Sequence, residues 1–277
     1  MRSILSRRQV LEAAAACAAG ATAAAAGSVP ADMRRPARDP AHFVLVHGAW
    51  HGAWCWYKVT AALEAAGHTA TAIDLPSAGI DAAPGASVTL ATQAERVVAL
   101  LDTLAVPVVL VGHSAGGPVI STVAEARPEK IAKLVYLTAY LLPNGASILS
   151  SIGGDPDSLI IGNLEALPDG TVAVRTDAVR DIFYGACDDA DVELARSLLK
   201  PIGVLTTGSP VTVGPAFESV RRFYVACRRD RAVTPGFQRT MYEALPCEKI
   251  FTLNADHSPF FSRPSALVRA LSAIARA

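Results

Sequence analysis

Charge is scarce in this 277-residue sequence, and what there is cancels: Asp, Glu, Lys and Arg make up 18% of it, with a formal net charge of zero. Such a balance argues against a nucleic-acid partner and against an anionic membrane surface. Cysteine is also sparse. Of five, Cys17 sits in an alanine-rich N-terminal stretch, and Cys55, Cys187, Cys227 and Cys247 follow no zinc-site spacing. Their pairing is not readable from spacing, so buried free thiols are the expectation. The glutamate of an H-E-x-x-H metal motif is missing: His47 and His51 stand four apart, but Gly48 and Gly52 make the segment a loop. No metal and no cofactor are expected.

A strongly apolar run of the roughly 20 residues that a spanning helix needs is absent too. Leu11 to Gly27 is mostly alanine and is interrupted by Gly20. It follows Arg2, Arg7 and Arg8 and runs into Val29-Pro30-Ala31, the order of an export signal with a small-residue cleavage site. Ser6-Arg7-Arg8-Gln9-Val10-Leu11 resembles the twin-arginine signal. Residues 1–31 are therefore read as a bacterial export leader and 32–41 as a linker, with the mature protein periplasmic or secreted. The leader carries three Arg against Glu12, which leaves the mature chain at −2.

What is present from residue 42 onward is alternation. Strands are expected at His42–Val46, Thr69–Ile73, Val106–Val111, Ile131–Thr138, Arg222–Cys227 and Lys249–Leu253. Helices are expected at Trp54–Ala66, from a Ser87 cap to Leu104, from Ala115 to Ala126, from Pro235, and over Pro264–Ala275. This predicts an α/β fold, a mainly parallel sheet of about six strands with helices on both faces. The alternation stops over about 144–218, where helix-like pieces at Asp177–Ala186 and Asp189–Leu199 suggest a helical cap over the strand ends.

The sequence turns on Val106 to Gly117, where an apolar strand breaks into Gly112-His113-Ser114-Ala115-Gly116. A G-x-S-x-G between strand and helix places a serine on a sharp turn, its hydroxyl lifted from the sheet edge and free N–H groups beside it. Serine needs a base held by a third group. His42 and His68 sit at ordinary structural positions, and His113 adjoins Ser114 on a tight turn and points away. His257, after the last strand, is the expected base. The acid should follow an earlier strand, and in CRRDRAVTP that leaves Asp230; Asp256 adjoins His257 and points elsewhere. Catalysis is thus expected from Ser114, Asp230 and His257. The oxyanion donors are expected at the backbone N–H of Ala115 and, from the loop after the first strand, Ala49, with Trp50 near the pocket wall.

With these residues in place, the chain resembles the plant methylesterase and hydroxynitrile lyase family of α/β-hydrolases. FVLVHGAWHGAWCWYKV at 43–59, GHSAGG at 112–117, CDDADVELARSLL at 187–199, PGFQR at 235–239 and ADH at 255–257 carry the likeness. It implies the α/β-hydrolase fold, the same triad and oxyanion amides, a small hydrophobic pocket under a cap, no cofactor, and hydrolysis of small carboxylic esters. The lyase branch has threonine where Gly48 stands and lysine where Ser258 stands, so hydrolysis is the expected reaction. A lactonase or amide hydrolase would use the same residues, and a ligand-binding receptor is the non-enzymatic alternative. The partner implied is a small-molecule ester; a homodimer is compatible with the sequence.

Overall fold

The structure is a computed structural model that describes residues 40–277. The export signal expected over 1–31 and most of the linker expected over 32–41 lie outside the described residues.

Six strands make one parallel sheet: β1 (His42–Val46), β2 (Thr69–Ile73), β3 (Val108–His113), β4 (Ile131–Leu137), β8 (Arg222–Cys227) and β9 (Lys249–Leu253), in the order β2-β1-β3-β4-β8-β9. All five pairings are parallel. The residues dictate this: HFVLV and VVLVGH are apolar throughout, as a strand covered on both faces must be. Val44, Val46, Val108, Leu110, Leu134 and Tyr136 bury into one side with Leu90, Val97, Leu101, Val119 and Val123 from the helices there. Phe43, Leu45, Val109, Val111 and Val135, the alternate residues, are buried as well and, by the two-residue period, face the other side. Each such side chain contributes about 1.5–3 kcal/mol relative to leaving it exposed.

The covering helices are α1 (Tyr57–Ala65), α2 (Leu90–Thr103), α3 (Gly116–Ala126) and, later in the chain, two whose ranges are Pro235–Ala244 and Pro264–Arg276. Helix α2 starts two residues later than expected. Ser87 lies in a short 3-10 turn, and Thr89 caps the helix in a reciprocal box with Thr92, because Val88 and Thr89 are both extended. Strand β3 is also shifted, beginning after exposed Val106 and Pro107 and running through His113 to the edge of the turn.

Between β4 and β8 lie short helices, among them α4 (Ile148–Ser151), α5 (Val179–Phe183), α6 (Asp189–Leu198) and α7 (Val204–Gly208). They are joined by something the helix-like pieces do not announce: an antiparallel sheet of β5 (Leu164–Ala166), β6 (Thr171–Val174) and β7 (Ile202–Gly203). Its hairpin turns at Leu167-Pro168-Asp169-Gly170, with Gly170 at φ +81° and the Thr171 N–H held by the Asp169 carboxylate.

Candidate active site

The strand order reverses between β1 and β3, whose neighbours on the outside are β2 and β4. At such a switch point the loops leaving two adjacent strands part, and a crevice opens at their carboxyl ends. Here the two loops are His47–Gly52 and the turn at Ser114.

Ser114 has φ +53°, left-handed backbone that costs a non-glycine residue about 1–3 kcal/mol. The turn is over-determined around it. Its N–H donates to Leu137 O, and its carbonyl accepts from Gly117 and Tyr140. The glycines are set by space. A Cβ on Gly112 would stand 2.6 Å from Gly116 O, one on Gly116 2.8 Å from His47 O, and one on Gly48 2.7 Å from the Ser114 Cβ. A threonine at position 48, the residue of the lyase branch, does not fit this backbone.

The expected acid and base meet. His257, in the loop after β9, donates from Nδ1 to Asp230 Oδ2 at 2.7 Å, and both side chains are almost fully buried. Asp230 is therefore no surface partner for its neighbouring arginines. Its Oδ1 accepts from the N–H groups of Ala232 (2.7 Å) and Val233 (2.9 Å), and Thr138 Oγ1 donates to Oδ2. With Nδ1 carrying the donated proton, His257 Nε2 is left as the acceptor. The loop is tied to the serine turn by His113, whose Nε2–H donates to His257 O at 2.8 Å, with the two rings 4.6 Å apart. Among the described residues the Ser114 hydroxyl makes no hydrogen bond, to His257 or to any other group. Asp256 points elsewhere as expected, accepting from Ala186 N–H and Ser262 Oγ.

The Ala49 and Ala115 N–H groups donate to no group among the described residues. Both residues line a cavity of about 170 Å³ together with Ser114. Its remaining wall is mostly apolar, chiefly Ile148, Ile152, Ile160, Val172 and Val204 from the segment between β4 and β8; Tyr140 and Thr207 are its hydroxyl-bearing side chains, and it holds no charged one. Trp50 stands in that wall, as expected, with its indole N–H donating to Val172 O at 2.9 Å.

The other histidines are accounted for by protein partners. His42 bonds Thr71 and His68 bonds Ser272. His47 donates from Nδ1 to Gly48 O (2.8 Å) and accepts from Leu75 N–H at Nε2 (3.1 Å). His51 lies between Ala49 O (2.7 Å) and the Tyr184 hydroxyl (2.7 Å). Both thus use both ring nitrogens within the protein. Burial holds all three inner imidazoles neutral: it lowers His47, takes His113 well below the usual histidine range, and brings His51 down to about 3, with nearby His257 acting in the same direction on the last two. Among the described residues the cysteines form no disulfide; Cys55, Cys187 and Cys227 are buried and Cys247 half-buried.

Sequence reasoning does not reach Thr138 or Tyr184. Thr138 was expected to end β4, but the strand stops at Leu137 and Thr138 turns to φ +42°, aiming its hydroxyl at Asp230. Its one signal is that it directly follows a strand end next to the serine turn. Trp50 (φ +64°), Ser114 and Thr138 are three of the four non-glycine residues with positive φ among the described residues; the first two line the cavity and the third bonds Asp230.

Residues 43–270 match the model of the alpha/beta hydrolase family. A chloroplastic Arabidopsis thaliana protein named as methylesterase 11 is 36% identical over 249 residues, 85% of this chain and 64% of that protein. The chain thus spans somewhat less than two thirds of the length of that relative. Methylesterase 17 from the same plant is 32% identical over 252 residues, 84% of this chain and 91% of that one. Among solved structures, the Arabidopsis methylesterase MES16 superposes with a TM-score of 0.75 at 30% identity, covering 85% of this chain and 99% of its own.

Proposed function

The chain belongs to the alpha/beta hydrolase family, and from that premise we propose that it is a serine-dependent carboxylic ester hydrolase for small hydrophobic or aromatic esters. The observation that carries this reading is one arrangement. Two unengaged N–H groups, on Ala49 and Ala115, line an apolar cavity with the strained Ser114, and the buried Asp230–His257 pair is tied to the serine turn through His113. Methylesterase relatives add weight to the choice of ester over amide.

In the proposed reaction the Ser114 hydroxyl adds to the ester carbonyl carbon while its proton passes to His257 Nε2. Asp230 keeps the Nδ1–H tautomer in place beforehand and stabilises the imidazolium once formed. The carbonyl oxygen becomes an oxyanion between the Ala49 and Ala115 N–H groups. Fixed donors in a dry site are worth more there than in water, about 10²–10³ in rate for each. Collapse expels the alcohol, which takes the proton from His257, and leaves an acyl group on Ser114. Water, deprotonated by the same imidazole, then releases the acid. The apolar cavity wall selects uncharged acyl or alcohol groups, since a carboxylate entering it meets no cationic partner.

Hydrolysis of p-nitrophenyl acetate and butyrate by residues 32–277, compared with the Ser114→Ala variant, tests the reading. A rate that disappears in the variant supports it. Equal rates refute the assignment of Ser114 and move a binding role to the front.

A further inference from the structure

The two histidines of the HGAWHG stretch remain without a part in the reaction, although both are buried beside it. What they touch gives them one. His47 Nδ1–H donates to the carbonyl of Gly48. That carbonyl and the Ala49 N–H belong to the same planar peptide, so fixing one fixes the other, and a donor on the oxygen polarises the N–H further. His51 holds the next peptide by donating to the Ala49 carbonyl. There the chain must pass through Trp50 at φ +64°, a conformation a tryptophan does not keep unaided.

Because His51 Nδ1 is the donor to a carbonyl, Nε2 is the acceptor, and the proton in the 2.7 Å contact comes from the Tyr184 hydroxyl. Tyr184 directly follows α5 and belongs to the segment between β4 and β8. The same segment holds Trp50 twice more: Val172 O accepts its indole N–H, and Lys200 N–H donates to its carbonyl.

We infer that Tyr184 and His51 are positioning residues for the oxyanion donor, a Tyr184–His51–Ala49 chain of hydrogen bonds through which the capping segment holds the strained Trp50 turn and so aims the Ala49 N–H. His47 completes the frame by fixing the Gly48–Ala49 peptide itself. The inference rests on the esterase reading and assigns to the cap a role in transition-state stabilisation beyond enclosing the substrate. Neither residue touches the substrate; both act through the backbone of the loop.

Tyr184→Phe removes the hydroxyl and keeps the ring. It is expected to lower kcat on p-nitrophenyl butyrate about ten-fold with KM within about two-fold, the pattern of an interaction made in the transition state. Affinity for a butyl trifluoromethyl ketone, whose adduct with Ser114 carries the oxyanion, is expected to fall by the same factor, while affinity for neutral butyl methyl ketone, which resists forming that adduct, stays within about two-fold. A second pair of variants covers loss of packing. His51→Asn keeps an N–H donor near the Nδ1 position and is expected to retain about ten-fold more kcat than His51→Leu.

Tyr184→Phe with parental kcat and parental ketone affinity, or equal kcat for the two His51 variants, overturns the inference while Ser114→Ala remains inactive. Should Ser114→Ala itself keep the parental rate, the esterase reading fails, and this inference fails with it.

Discussion

Replacing Asp230 by asparagine changes one atom and tests the geometry of the pair. Oδ1 faces two backbone N–H groups, Ala232 and Val233, that cannot turn away. The asparagine oxygen must stay there, so its NH2 takes the place of Oδ2. One of its hydrogens meets Thr138 Oγ1, a hydroxyl that can rotate to accept, and the other meets His257 Nδ1. An N–H aimed at Nδ1 forces the proton onto Nε2, where it blocks removal of the Ser114 proton. The imidazolium also loses its counter-charge in a site where the side chains are 1% and 0% exposed. Wrong-tautomer substitutions of this kind cost about 10⁴ in kcat, which is about 5.4 kcal/mol at 1.36 kcal/mol per decade. The assay is kcat for p-nitrophenyl butyrate from pH 6 to 9, with near-ultraviolet circular dichroism to check the fold. Asp256→Asn serves as the contrast, since that carboxylate bonds Ala186 and Ser262 instead; its loss should stay below about ten-fold. A folded Asp230→Asn protein retaining more than about 3% of parental kcat at every pH would refute the reasoning.

The strain at Ser114, φ +53°, should appear as stability: Ser114→Gly is expected to unfold at higher denaturant than Ser114→Ala, by about 1 kcal/mol, and the reverse order would deny that the turn is strained. Because the cavity wall holds no charged side chain, a p-nitrophenyl ester ending in a carboxylate should be cleaved with kcat/KM at least about 100-fold below its uncharged analogue, about 2.7 kcal/mol. Equal rates would show that the acyl group does not enter the cavity. The three inner histidines bind protons more readily unfolded than folded, since burial depresses their folded values. Stability is then fully present above the ordinary histidine pKa, about 6.5, and falls as pH drops below it, by up to about 1.4 kcal/mol per pH unit for each histidine. Urea unfolding at pH 7.5 and pH 5.0 measures this, and a midpoint unchanged between them would contradict the neutral assignment.

How much of this was legible beforehand follows the range of the forces involved. The parallel strands are written in local composition: HFVLV and VVLVGH are too apolar to face water on either side, and the G-x-S-x-G after one of them sets the turn. His257 and Asp230 could be placed by elimination because each follows a strand whose end the sheet brings to one edge. What escaped depends on partners far along the chain. Thr138 meets Asp230 across 92 residues and Tyr184 meets His51 across 133, and nothing local marks either. The hairpin at 164–174 has strands of three and four residues, too short for periodicity to register, although Pro-Asp-Gly at its turn was a usable signal. The start of α2 was misplaced because Ser87 and Thr89 are both competent caps, and only the extended backbone at Val88 decides between them.

The central claim is that Ser114 carries the acyl group. The direct measurement is to mix the protein with p-nitrophenyl butyrate, quench in acid during the first turnover, and map the adduct by peptide mass spectrometry. One butyryl group on the peptide containing Ser114, absent in Ser114→Ala and accumulating in Asp230→Asn no faster than in the parent, is the expected result. Release of p-nitrophenol at the full parental rate with no adduct on that peptide, or with the adduct on another residue, would contradict the account.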